Sequence, residues 1–132
     1  MNDYENFLRQ KVRSREKTGF NPSGAFSSLF PWQKEITEWA CKSGCAALFE
    51  DCGLGKTPQQ LHWAREVHEQ TGDPVIILAP LAVSQQTVRE GRKFGIDVNL
   101  AEMDSDIVNG INITNYEKLD KFDISRFSGV VL

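Results

Sequence analysis

A glycine-rich stretch, FEDCGLGKT at residues 49–57, contains the residue types that bind phosphate. Backbone N–H groups at a helix N-terminus bind phosphate oxygens, and glycines let the chain curl around those oxygens without a Cβ clash. Gly53 and Gly55 supply that freedom. Lys56 would reach the β- and γ-phosphates of a nucleotide, and the Thr57 hydroxyl would hold Mg²⁺. The stretch therefore predicts a site for ATP and Mg²⁺.

The match to the phosphate-loop consensus is incomplete, because Glu50 stands where that consensus has its first glycine. The alternative is an ordinary strand-to-helix turn with a chance lysine. The flanking sequence favours the phosphate loop. CAALFED at 45–51 is a short apolar run that predicts a buried strand, and PQQLHWAREVHEQTG at 58–72 predicts the helix that must follow.

The region before the glycines predicts two helices and a loop. Residues 3–17 read as an amphipathic helix with a basic remaining face, which would be either solvated or in contact with DNA phosphates. Residues 18–28 are rich in Gly, Pro, Ser and Asn and predict a loop. Residues 31–44 start with a proline and end at a glycine, as helices often do. We place the boundary between this N-terminal segment, 1–28, and the main domain, 29–132.

The second half of the chain alternates between strand and helix signals. PVIILAP at 74–80 is the clearest strand, and it is followed by a helix over 82–95. Strands are predicted over 97–102, 111–115 and 129–132, with a short helix near 116–121. This alternation predicts an α/β fold of three layers, with a mostly parallel sheet and helices on both faces.

Length, charge and composition limit the classes of protein to which the chain can belong. The 132 residues fit one domain, and a net charge of −3 argues against a general nucleic-acid coat while leaving room for a local basic face. The chain lacks the run of about 20 apolar residues that a membrane span needs. The N-terminus has no apolar signal core, so a cytoplasmic location is expected. Three cysteines are an odd count, which favours reduced thiols over a disulfide framework or a zinc site.

Four blocks, taken together and in order, resemble superfamily-two helicases of the Swi/Snf type, and phage and prophage helicases of that group most of all. FEDCGLGKT resembles their motif I, which often reads A-D-E-M-G-L-G-K-T, so Glu50 and Asp51 match acidic positions of the family. LFPWQKEITEWA resembles the segment before motif I, VIILAPLAVSQQTVRE resembles motif Ia, and INITNYEKL resembles the block before motif II. The resemblance runs from about Leu29 to the end and implies a RecA-like domain.

The resemblance assigns roles to individual residues. Gln33 would read the adenine edge, and one of Phe20, Phe26 and Phe30 would stack on the base unless all three pack into the core. The implied nucleotide contacts are Gln33, Gly53, Leu54, Gly55, Lys56 and Thr57, with Thr57 on the metal. The implied nucleic-acid contacts are Pro80, Ser84, Gln85, Thr114 and Tyr116, and these side chains could equally cap helices or pack.

In that family the strand ending in VVL leads directly into a D-E-x-x motif, whose carboxylates hold Mg²⁺ and activate water. The sequence ends at Leu132, and it lacks the family's second RecA-like domain with its arginine fingers, so we expect no hydrolysis by these residues alone. The expected function is the amino-terminal nucleotide-binding part of a DNA-dependent ATPase or helicase. The chain would then be a piece of a longer helicase, the product of a truncated gene, or a small inhibitor.

Two other functions stay open at this point. One is a non-catalytic interaction protein derived from a helicase, acting as a decoy or inhibitor of a helicase or nuclease partner. The other is a P-loop kinase, against which the blocks LAPLAVSQQ at 78–86 and ITNYEKL at 113–119 count. In the helicase family another strand lies between 45–51 and 129–132. We therefore expect self-association or a protein partner to complete the sheet, with DNA as the partner of the whole helicase.

Overall fold

The computed structural model describes residues 2–11, 16–26, 28–50 and 55–132. Four α-helices occur in these ranges, namely α1 (Asp3–Lys11), α2 (Pro31–Ser43), α3 (Lys56–Thr71) and α4 (Leu81–Lys93). The strands are β1 (Val75–Leu78), β2 (Val98–Leu100), β3 (Ile111–Thr114) and β4 (Gly129–Val131). Short 3-10 helices span Asp104–Asp106, Tyr116–Lys121 and Ile124–Arg126.

The four strands form one parallel sheet in the order β2-β3-β1-β4. Val75 at the start of β1 lies opposite Ile111 on one side and Gly129 on the other. All four residues of β1 are buried, as expected for a central strand with both faces covered. The predicted α/β class with a parallel sheet is therefore confirmed.

The two faces of the sheet are covered differently. On one face, α3 packs on β1 and β3 through Leu61, Ala64 and Val67, which join the larger core cluster. On the other face, Ile76 and Leu78 pack against Phe122 and residues of the 3-10 segments. The expectation of α-helices on both faces is thus wrong for the described ranges, because short 3-10 turns bury the second face.

A loop segment crosses α2 and α3 and holds the two helices together. We call residues 18–26 the strap. The Phe20 N–H donates to the Cys41 carbonyl at the end of α2, at 3.0 Å. Ser23 donates to the Glu66 carboxylate of α3 through its N–H (2.9 Å) and its hydroxyl (2.5 Å). Glu66 is 2% exposed, so the strap supplies the hydrogen bonds that a buried carboxylate needs.

The residues that precede the glycine-rich stretch depart most from the prediction. Residues 45–50 are not a strand, and Phe49 is 98% exposed. The segment is apolar enough for a strand, but the sheet ends at β4 and offers 45–50 no hydrogen-bonded neighbour. A strand is stabilised by pairing with a neighbouring strand, so an apolar composition alone does not make residues 45–50 a strand.

The N-terminal helix is shorter than predicted and carries no buried residue. It spans Asp3–Lys11, while 12–15 lie outside the described residues and 16–17 are not helical. Tyr4, Phe7 and Leu8 remain exposed on it. Within the described ranges, no helix has the length and apolar character needed to cross a membrane.

His62 is the buried titratable residue at the junction of α3, the strap and α4. It is 1% exposed, and its ring lies 6.1 Å from that of Phe26 and 5.8 Å from that of Phe94. Its Nδ1 donates to the Pro58 carbonyl at 2.6 Å. Burial lowers the pKa of His62 below its ordinary value, with Arg65 adding to the effect and the Pro58 hydrogen bond and Glu66 opposing it.

This burial makes the fold sensitive to mild acid. The unfolded chain binds a proton on His62 more readily than the folded chain, so stability is full above about pH 6.5 and falls as the pH drops below it. The side chain of glutamine does not titrate in this range. We therefore expect the melting temperature of His62→Gln to fall less than that of the wild type between about pH 8 and pH 5. Thermal melts followed by circular dichroism measure this.

The matched control is His68→Gln, because His68 lies on the same helix but is only half-buried. This variant should keep the wild-type dependence on pH. Equal pH dependence in the wild type and in His62→Gln would show that His62 does not control the response.

Candidate functional site

The amino end of α3 begins directly after the glycine-rich stretch. Gly55 is the residue before the helix and has φ +77°, a left-handed conformation that favours glycine. Among the described residues no side chain caps this end, and the first turn contains no acidic residue. A helix of 16 residues presents partial positive charge and unpaired N–H groups at such an end, which suits an anion.

Gln33 of α2 lies directly against Gly55, although the two residues are far apart in the sequence. A Cβ on Gly55 would collide with the Nε2 atom of Gln33. The Oε1 atom of Gln33 accepts a hydrogen bond of 2.9 Å from the Phe30 N–H at the start of α2. Gln33 is 4% exposed. One amide therefore fixes the first turn of α2 and packs on the glycine that opens α3.

A second amide, that of Gln59, joins the two sides of the glycine-rich stretch. Its Nε2 atom donates to the Glu50 carboxylate at 2.9 Å and to the Gly55 carbonyl at 3.3 Å. Glu50 comes just before the stretch and Gln59 lies in the first turn of α3. The acidic residue at the consensus glycine position is thus part of a hydrogen-bond network that reaches the helix end.

The predicted nucleotide contacts divide into three groups. Gly53 and Leu54 lie outside the described residues. Lys56 is exposed at the first position of α3, and Thr57 is half-buried beside it. Gln33 and Gly55 are in contact with each other. The described ranges hold no group of three or more His, Cys, Asp or Glu side chains placed to bind a metal.

The predicted nucleic-acid contacts gather at the carboxyl edge of the sheet. Thr114 ends β3 opposite Leu78, and its carbonyl accepts from Ala79 at 3.1 Å, just before Pro80. Ser84 is fully buried and its hydroxyl donates to the Pro80 carbonyl at 3.3 Å. The buried side chains among the five are Ser84 and Thr114, and the exposed ones are Pro80, Gln85 and Tyr116.

These positions favour the packing interpretation for two of the five. Ser84 and Thr114 do not present their hydroxyl groups to solvent, since Ser84 is 0% exposed and Thr114 is 1% exposed. Of the three phenylalanines considered for base stacking, Phe26 is in the core, Phe20 packs at its edge and Phe30 is 67% exposed. Phe30 is the exposed ring of the three, and its N–H is hydrogen-bonded to Gln33.

Sequence reasoning missed two buried polar residues near the site, Gln59 and Thr37, each 1% exposed. One sequence pattern could have indicated that Gln59 is buried. Gln59, His62 and Glu66 recur at helical spacing beside the apolar positions of α3, and all three are buried. Polar residues at such spacing usually indicate a solvated face, which is why the pattern did not stand out.

The fold and the site define an α/β protein with a parallel four-stranded sheet, in which the amino end of α3 lies next to two buried amides and is capped by no described side chain. Comparison with protein-family models, with curated proteins and with solved structures finds no match.

The contact between Gln33 and Gly55 can be measured by substitution. We expect Gly55→Ala to destabilise the fold by more than the about 1–2 kcal/mol that a left-handed alanine costs, because the new methyl group meets the Gln33 amide. The control is Gly72→Ala, where φ is +74° and a Cβ would meet nothing within 4 Å. Urea unfolding gives both free energies.

A double-mutant cycle isolates the contact from the strain. In a Gln33→Ala background the excess cost of Gly55→Ala over Gly72→Ala should disappear. An excess that persists without the Gln33 side chain would contradict the contact.

Proposed function

We propose that this chain is the amino-terminal nucleotide-binding part of a DNA-dependent ATPase or helicase, with a RecA-like fold. ATP and Mg²⁺ are the ligands in this proposal, and DNA is the partner of the complete enzyme. The proposal rests on the glycine-rich stretch, on the ordered blocks that resemble superfamily-two helicases, and on the geometry of the α3 end.

One observation carries the proposal, namely the packing of Gln33 on Gly55. The resemblance to superfamily-two helicases assigns Gln33 to the base, and the glycine-rich stretch predicts that Gly55 contacts the phosphates of the same nucleotide. Two groups that bind one small ligand must lie within that ligand's reach. Their direct contact meets this requirement.

The described residues fit a nucleotide in the following way. Phosphate oxygens would lie at the uncapped end of α3, where the helix dipole and the Lys56 ammonium both favour negative charge. Gly55 has no side chain, and the Gln33 amide packs where its Cβ would lie. The Thr57 hydroxyl would be a ligand of the metal, and the metal would neutralise phosphate charge. Gln33 would face the base beside the exposed ring of Phe30.

The role of Lys56 is tested by nucleotide binding. We expect Lys56→Ala to weaken the binding of ATP about tenfold or more, because a charge-assisted hydrogen bond contributes about 1.5–3 kcal/mol. Titration calorimetry on the 132-residue chain measures the affinity. The control is Lys93→Ala, since Lys93 is exposed at the far end of α4. Equal affinity of the wild type and Lys56→Ala would remove the nucleotide proposal.

Glu50 generates a second expectation about charge. Its carboxylate is tied by Gln59 to the end of α3, so its negative charge lies near the proposed phosphate position. We expect Glu50→Gln to bind ATP more tightly than the wild type without Mg²⁺, and the gain to shrink when Mg²⁺ is added. Glutamine keeps an acceptor for Gln59. A variant whose affinity is unchanged without Mg²⁺ would place Glu50 away from the phosphates.

A second candidate function has its own observation. A non-catalytic protein that binds a helicase or nuclease partner would need a surface for that partner, and among the described residues the outer side of β4 and the segment 45–50 are paired with no strand. Binding of the protein partner by the Lys56→Ala variant distinguishes the two candidate functions. The interaction protein would bind its partner equally well before and after Lys56→Ala, whereas a nucleotide-dependent machine would not.

A further inference from the structure

Gln59 is a polar side chain at a buried position in the first turn of α3. It is 1% exposed, and Leu61 and His62 are buried on the same helix. An apolar residue would fill this position at less cost, since a buried amide needs hydrogen bonds for its donors and for its acceptor. The Oε1 of Gln59 has no hydrogen-bond partner among the described residues. This cost indicates a role for the amide beyond packing.

The nitrogen of the Gln59 amide donates to two different acceptors. Its Nε2 atom lies 2.9 Å from the Glu50 carboxylate and 3.3 Å from the Gly55 carbonyl. The opposite orientation of the amide would place its oxygen against these two acceptors, so the chemistry of the partners fixes the orientation. The shorter hydrogen bond goes to a charged group and anchors the amide. The longer one then reaches the carbonyl of the glycine that precedes α3.

The backbone of α3 holds the Gly55 carbonyl only weakly. The helical partner of this carbonyl is the Gln59 N–H, and that hydrogen bond is 3.5 Å long. The usual range is about 2.7–3.2 Å. Gly55 itself has φ +77°, so it does not continue the geometry of the helix. The side chain of Gln59 thus supplies a second donor to a carbonyl that the first turn of the helix holds poorly.

Holding the Gly55 carbonyl also fixes the direction of the next backbone N–H. In a planar trans peptide the C=O of one residue and the N–H of the next point in opposite directions. The Gly55 carbonyl points towards Gln59, so the Lys56 N–H points away from the body of α3, at its amino end. The first N–H groups of a helix have no partner within the helix. The Lys56 N–H is therefore directed to where the proposed phosphates would lie.

We propose that Gln59 is a positioning residue that aims the Lys56 backbone N–H at the phosphates of the nucleotide. This inference rests on the proposed function and extends it to a residue that acts through the backbone. Glu50 anchors the amide, the amide holds the Gly55 carbonyl, and the carbonyl sets the direction of the peptide unit that binds the anion. Without the amide, this peptide unit would rotate more freely about the bonds of the glycine, and its N–H would bind phosphate less well.

The direction of the Lys56 N–H can be measured without any nucleotide. Residual dipolar couplings, recorded by nuclear magnetic resonance on the whole chain, compare it with the amides in the middle of α3. Gln59→Met keeps the length of the side chain but has no donor, so we expect it to change the Lys56 coupling and to leave the middle of α3 unchanged. The control is Gln60→Met at the neighbouring half-buried position, which should change neither. Thermal melts verify folding, and Gln59→Asn, whose amide is one carbon shorter, replaces Gln59→Met if that variant unfolds.

Binding of MgADP, measured by titration calorimetry, tests what this direction contributes. Gln59→Met should weaken binding about tenfold, as expected for the loss of one hydrogen bond to a charged group, whereas Gln60→Met should not. Because Gln59→Met also frees the Glu50 carboxylate, the comparison is repeated in a Glu50→Gln background, which has no charge at that position. The loss of affinity should persist there.

Three results would overturn the inference. They are an unchanged Lys56 coupling in Gln59→Met, an unchanged affinity for MgADP in that variant, and a loss of affinity that disappears in the Glu50→Gln background. A wild-type chain that binds no MgADP, together with a changed Lys56 coupling in Gln59→Met, would contradict the proposed function while supporting the role of Gln59 in orienting this peptide unit.

Discussion

The burial of one face of α3 against the parallel sheet positions the other elements of the described chain. Leu61, Ala64 and Val67 are almost fully buried, and burying a leucine or valine side chain contributes about 1.5–3 kcal/mol. The same helix contacts α2, α4 and three of the strands. Its amino end carries the candidate site, and its buried polar residues hold the strap. A shift of α3 would therefore move the site and the strap together.

The polar face of α3 explains why the interior can hold charged and titratable groups. Glu66 is satisfied by two hydrogen bonds from Ser23, and His62 stays neutral between two aromatic rings. Cys41 of α2 is completely buried, and burial, together with Glu66 and Glu38, raises the pKa of its thiol to about 12. At neutral pH this thiol is protonated, which makes it a structural residue and not a nucleophile.

The sequence correctly predicted the elements for which the local residue pattern and the pairing with neighbouring strands favour the same structure. The run 75–78 is β-branched and lies between two strands, so composition and pairing gave the same answer. The run 45–50 is also largely apolar, but its structure depends on a neighbouring strand that local sequence does not reveal. At the site, the resemblance picked out Gln33 and Gly55, and the structure shows that they touch. The hydrogen bond between Glu50 and Gln59 was missed because partners nine residues apart have no signature in spacing.

Every strand of the sheet comes from residues 75–131, and the helices that cover its first face come from 56–93. Both core clusters are therefore encoded in one contiguous stretch, with residues 2–50 added from outside through α2 and the strap. Two parallel strands can pair only after the segment that connects them has closed into a loop, and this loop closure is slow. Because β3 and β4 both pair with β1, each of them can join the sheet only after the segment that connects it to β1 has formed. The sheet therefore grows from β1. Folding of this chain should thus proceed from α3 and β1 outwards, with α2 and the strap docking last.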